Sequence, residues 1–235
     1  MPEKVTFVDL GRISYQEALD RQIDIHKKLI NRKLKIRNGE KVEGGAEHHL
    51  FFCEHNPVYT LGKSGSIDNL LLSESQLEDE NIDFFKTNRG GDITYHGPGQ
   101  LVGYPIFDFD YFYHDVHKYV FDMEEAIILS LKETGIKATR IKGLTGVWIK
   151  GVNGQKDRKI CAIGIHLSRW VSLHGFALNV NTAMQYFDNI IPCGIDDKSK
   201  DVTSIEAETG KSQNMNTIKS IVKRNFAKVF GFEYK

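Results

Sequence analysis

The stretch GVWIKGVNGQKDRKICAIGIHLSRWVSLHGFALNV, residues 146–180, decides how this chain reads as a fold. Three runs within it, GVWIK (146–150), KICAIGIHL (159–167) and SLHGFALNV (172–180), are rich in β-branched and aromatic residues and are bounded by polar segments. The segment 151–158 has the glycine, asparagine and charged residues of a hairpin loop. Three consecutive antiparallel strands are the expectation. Outward from them, VTFVDLG (5–11), HLFFCEH (49–55) and LVGYPIFDF (101–109) have strand composition as well.

Helices are announced by their caps. Ser14 and Glu17 have the spacing of a capping box, and Tyr15, Leu19, Ile23, His26 and Ile30 then recur every three or four residues. A polar, glycine-containing loop is expected over 33–47. Asp115 can cap a helix with Val120, Met123, Ile127 and Leu131 on one face, ended near Gly135. Ile218, Ile221, Val222, Phe226, Val229 and Phe230 mark a last helix, stopped by Gly231. Strands joined by hairpins, without regular strand–helix alternation, predict an α+β domain spanning 1–235, with helices packed on a largely antiparallel or mixed sheet. The segment after Asp196 is expected to pack as a small subdomain.

Composition narrows the function classes. The 235 residues are 40% hydrophobic, and 31 basic side chains balance 31 acidic ones, so no global field draws in nucleic acid or anionic lipid. No run approaches the roughly 18–20 apolar residues of a membrane span, and the first residues lack the apolar core of a secretory signal, so a cytoplasmic protein is expected. Three scattered cysteines, Cys53, Cys161 and Cys193, suit neither a disulfide framework nor a cysteine-rich zinc site. His114 and His117 lack a third ligand in the pattern, and no metal is expected.

The densest local feature is RGGDITYHGPGQ, residues 89–100. Its glycines let backbone approach a ligand and equally permit tight turns; Arg89 and His96 tilt the reading toward a binding loop. It matches neither the phosphate-binding Walker loop nor a dinucleotide fingerprint, so no nucleotide cofactor is expected. Cys193, in IIPCGI, stands between proline and glycine, whereas Cys53 and Cys161 lie inside apolar strands, which makes Cys193 the candidate nucleophile. A thiol with a pKa of roughly 8.5 needs help to ionise at neutral pH, and Lys159, at the head of an apolar strand, is the candidate cation. His174-Gly175 interrupts its strand and suggests a bulge or a close approach of backbone to a ligand.

RGGDITYHGPGQLVGYPI, the KICAIG strand, HGFALNVN and PCGI, in that order, resemble the lipoyl(octanoyl) transferases of lipoate biosynthesis. The resemblance implies a fold related to biotin and lipoate ligases, a class II synthetase-like cofactor transferase. It also implies transfer of an octanoyl group from acyl carrier protein to a lysine of a lipoyl domain, in 2-oxoacid dehydrogenase E2 subunits and the glycine cleavage H protein. By position it makes Cys193 the acyl-accepting residue and Lys159 the group that tunes it, without a cofactor. The matching substrate contacts are Arg89, Gly90, Gly91, Asp92, Ile93, Thr94, Tyr95 and His96, then Ala162, Ile163 and Gly164, then Gly175, Phe176 and Ala177. An ATP-dependent lipoate or biotin ligase, a thiol hydrolase and a non-catalytic acyl-binding module are the rival readings.

Overall fold

The structure is a computed structural model and describes residues 2–191 and 200–235. Strand β1 (Lys4–Ile13) leads into helix α1 (Tyr15–Arg37), followed by β2 (His48–His55), β3 (Val58–Leu61), α2 (Glu74–Asp79), β4 (Asp83–Lys86), β5 (Ile93–His96) and β6 (Gln100–Ile106). Helix α3 (Val116–Glu133) follows, then β7 (Thr139–Ile141), β8 (Leu144–Ile149), β9 (Asp157–Ser168) and β10 (Val171–Asn179). The chain ends with β11 (Lys200–Val202), α4 (Ile205–Thr209), α5 (Met215–Phe230) and β12 (Glu233–Tyr234).

The main sheet runs β12-β1-β2-β6-β10-β9-β8-β7, with β11 alongside β9. Its centre, from β2 to β7, is antiparallel as expected, while β12, β1 and β2 pair in parallel at one edge. A second sheet of β4-β3-β5 sits beside it. The fold is thus mixed α/β, with helices on both faces of a large sheet.

Side-chain alternation sets the two faces. Phe176, Leu178 and Val180 join Cys161, α3 and α5 in one core, whereas Leu173 and Ala177 join Val102, Tyr104 and α1 in the other. Phe226 of α5 stacks on Phe176 with ring centroids 5.1 Å apart, so the C-terminal helix belongs to the main core and is not a separate subdomain.

Helix α1 departs from its sequence reading in three ways. Ser14 accepts from the Glu17 amide, but Glu17 returns to the Ser14 hydroxyl and not to its backbone N–H, so only half of the capping box forms. The helix runs on to Arg37, because Lys33, Leu34, Lys35 and Arg37 are good helix formers, and the expected loop shrinks to 38–47. Its buried stripe is Tyr15, Ala18, Gln22, His26 and Leu29, a position earlier than Leu19, Ile23 and Ile30.

Candidate active site

Strands β9 and β10 pair Ala162 with Ala177 and Gly164 with Gly175, so small residues face each other on the α1 side of the sheet. Over them lies the glycine-rich loop. The Gly90 N–H donates to Ile165 O at 2.8 Å, and a Cβ on Gly164 would stand 2.8 Å from Gly90 O, so only glycine lets the loop sit this close. The result is a cavity of about 260 Å³. Into it the structure brings residues 89–94, His96, Lys159, 162–164 and 175–177 from the sequence-derived set. Tyr95 is the exception: alternation along β5 turns its ring away, to stack on Tyr186 in the core of the small sheet.

Arg89 is 8% exposed and finds no carboxylate partner among the described residues. It donates to the hydroxyl and carbonyl of Thr60 and to Gly90 O. Thr60 in turn lies 3.4 Å from His96 Nε2. The tautomer of His96 follows from its other neighbour. Gln100 spends its amide donors on Tyr95 O (3.1 Å) and Asn179 Oδ1 (2.9 Å), so its oxygen, 2.8 Å from His96 Nδ1, must accept. Burial first, then His55, lowers the His96 pKa to about 3, so the ring is neutral.

His174 also lines the cavity, and His55 stands behind the wall against His96 and Tyr104. His55 Nδ1 donates to Ile13 O, leaving Nε2 to accept from Tyr104 OH at 2.7 Å, and burial lowers its pKa to about 4. His174 shows no bulge: its pairing with β9 continues unbroken through Gly175. The break in the pattern is instead a left-handed φ of 63° at His174, with its N–H turned to Gln22 Oε1 and its Nε2 to Asn88 Oδ1 at 2.6 Å. Burial, then the charge of Arg89, holds it at about 3.

Lys159 reaches the cavity through an irregularity that period-two reading does not show. Val147 pairs with Cys161, but Trp148 pairs with Lys159, so Ile160 is an extra residue on β9. Ile160 and Cys161 both enter the α3–α5 core, and Lys159 emerges on the same face as Ala162 and Gly164. Without the bulge, alternation would send the lysine into the apolar core. Its Nζ stands 4.8 Å from the centre of the Trp148 ring.

Cys53 and Cys161 are fully buried, and burial drives both thiols upward, away from ionisation. Cys193 lies outside the described residues; Phe187 and Val202, on either side of that segment, line the cavity. Sequence reasoning missed Tyr15, Gln100, Tyr104 and Asn179, which also line it. For Tyr104 the signal was present, since alternation from Val102 puts it on the same face. No group of three or more His, Cys, Asp or Glu side chains placed to hold a metal occurs among the described residues, and no helix among them is long and apolar enough to cross a membrane.

Residues 32–227 match the family model of the lipoyl protein ligase A/B catalytic domain. The chain is 52% identical over 231 residues to an octanoyltransferase of Cytophaga hutchinsonii, covering 97% of this chain and 93% of the relative. It is 49% identical over 236 residues to an octanoyltransferase of Christiangramia forsetii, covering 100% and 99%. Its fold is similar to that of a bi-partite lipoate protein ligase from Thermoplasma acidophilum, with a TM-score of 0.69 at 16% identity over 100% of this chain and 86% of the other.

Proposed function

This chain belongs to the lipoyl protein ligase A/B catalytic-domain family and is an acyltransferase, and we propose that it moves an octanoyl group from acyl carrier protein to a lipoyl-domain lysine through a Cys193 thioester. One observation carries this reading: the bulge in β9 turns Lys159 onto the small-residue face of a mostly apolar cavity roofed by the 89–94 loop. That Phe187 and Val202 line the same cavity supports placing the chemistry of the intervening cysteine there.

In the first step the Cys193 thiolate attacks the thioester carbonyl of the carrier's phosphopantetheine arm. The tetrahedral oxyanion collapses, the bond to the carrier sulfur breaks, and the carrier leaves as a thiol after taking up a proton. In the second step the acceptor amine attacks the acyl-cysteine, loses a proton, and the sulfur leaves as thiolate. Exchange of one thioester for another is nearly balanced, and amide formation drives the sequence, so no nucleotide is required. The Lys159 ammonium favours the thiolate and the developing oxyanion. With His96 and His174 neutral, Lys159 and Arg89 are the cationic side chains that line the cavity among the described residues. Six methylenes of the acyl chain, at about 0.8 kcal/mol each, contribute about 5 kcal/mol to binding before ordering costs. The proposed acceptors are lipoyl domains of 2-oxoacid dehydrogenase E2 subunits and the glycine cleavage H protein.

The test is to mix the protein with octanoyl-carrier and an apo lipoyl domain, without ATP, and weigh the domain. Gain of one octanoyl group is expected. Transfer only from free octanoate with ATP would assign the protein to ligase chemistry instead.

A further inference from the structure

Glu124 lies on α3, outside the cavity, yet only 6% of it is exposed. Its Oε1 accepts from the Gly146 N–H at 2.9 Å and its Oε2 from Arg140 Nε at 2.9 Å. Arg140 is held in turn by Glu125 at 2.7 Å and by Phe121 O at 2.9 Å, and its guanidinium stacks 3.7 Å over the Phe121 ring. The carboxylate is therefore fixed at both oxygens.

Gly146 is the part of β8 that touches the bulge. Its φ is 113°, and a Cβ there would lie 2.6 Å from Cys161 O and 3.7 Å from Lys159 Cδ. The register shift follows at Val147 and Trp148. At this left-handed, locally irregular position the Gly146 N–H goes to a side chain from a helix. On the other side of β9, Lys159 O accepts from Thr203 N at 2.9 Å. The lysine's backbone is held from one flank by Thr203, and the strand against its stem is held from the other by Glu124.

We propose that Glu124 is a positioning residue for the acyl transfer, fixing Gly146 so that the bulge aims Lys159 into the cavity. This rests on the proposed role of Lys159. Nothing in the family's glycine-rich or cysteine motifs marks Glu124, because its contribution passes through one backbone amide. What it must supply is an acceptor oxygen at the right reach, which distinguishes it from a residue that only holds α3 to the sheet by charge.

The experiment measures the rate of acyl-enzyme formation at saturating octanoyl-carrier, by intact mass, in Glu124→Gln, Glu124→Leu, Glu124→Asp and Lys159→Ala, with thermal unfolding of each. Glutamine keeps an acceptor for Gly146 and is expected to acylate within about threefold of the parent. Leucine removes the acceptor and aspartate withdraws it, and both are expected to slow acylation by on the order of 10- to 100-fold, the usual cost of a displaced catalytic group. In a Lys159→Ala background the same changes should have no further effect beyond about twofold, since both act through one atom. The proposal is overturned if glutamine is as slow as leucine, if a folded leucine or aspartate variant acylates at the parent rate, or if the loss persists without Lys159. Should Glu124→Leu not fold, Glu124→Asp decides by the same criteria. Lys159→Ala at the parent rate would refute the role of Lys159 itself, whatever the Glu124 variants do.

Discussion

Acidification should destabilise this protein through buried imidazoles, three of them in or just behind the cavity wall. His55, His96 and His174 are at most 7% exposed, and burial holds them at about 4, about 3 and about 3. In the unfolded chain each returns to about 6.5. Because the folded values are depressed, the stabilisation is fully present above about 6.5 and is lost as pH falls toward the folded values, while the unfolded state takes up protons that the folded state refuses. At about pH 5.5 each unfolded ring is about nine-tenths protonated and each folded ring is neutral, a difference of about RT ln 11, or about 1.4 kcal/mol per group. Three groups give about 4 kcal/mol between about pH 7.5 and about pH 5.5, and His48, fully buried at the far end of β2 and held at about 4 by burial, adds a like share, against a total stability of about 5–15 kcal/mol for an ordinary domain. Urea unfolding at the two pH values, followed by tryptophan fluorescence, measures this directly. His96→Gln should recover about 1.4 kcal/mol, the share of one such group. A loss below about 1 kcal/mol, or no recovery in the variant, would refute the claim that these histidines are neutral and desolvated in the folded protein.

Other consequences are read in the same assays. Ala177→Leu adds three carbons to the cavity wall and should cost an octanoyl donor about 2 kcal/mol, roughly 30-fold, relative to a donor three methylenes shorter; an unchanged chain-length profile would place the acyl chain elsewhere. Cys53→Ala and Cys161→Ala should both acylate at the parent rate, because their buried thiols face the cores, and loss of acylation in a folded variant of either would contradict that. Lys159→Ala should slow acylation and move its pH dependence upward, since the thiol loses a neighbouring cation; an unshifted profile would remove the lysine from the mechanism.

Much of this was legible in the sequence where one residue's type dictated its environment. The three runs in 146–180 were strands because their composition suits a half-buried pleat, and Asp115 starts its helix by capping free amides. The parallel edge was not legible, because β1 and β2 pair across a long helix and nothing local encodes that partner. VYTL and DFFK are too short to stand out by periodicity, so the small sheet went unseen. Of the sequence-derived residues, 89–94, His96 and Lys159 line the cavity, but the reason Lys159 faces it was not legible. Strict alternation along KICAIG places it on the wrong side, and the extra residue at Ile160 is decided by cross-strand hydrogen bonds. Tyr95 failed for the complementary reason: it belongs to the right segment but alternates away from the ligand side.

The most direct test is to expose the protein to octanoyl-carrier alone, without ATP or acceptor, and map the acyl group by peptide mass. One octanoyl group on Cys193, discharged when an apo lipoyl domain is added, is the expected result. An unmodified protein, or an acyl group on any other residue that the acceptor domain fails to remove, would contradict the thioester mechanism.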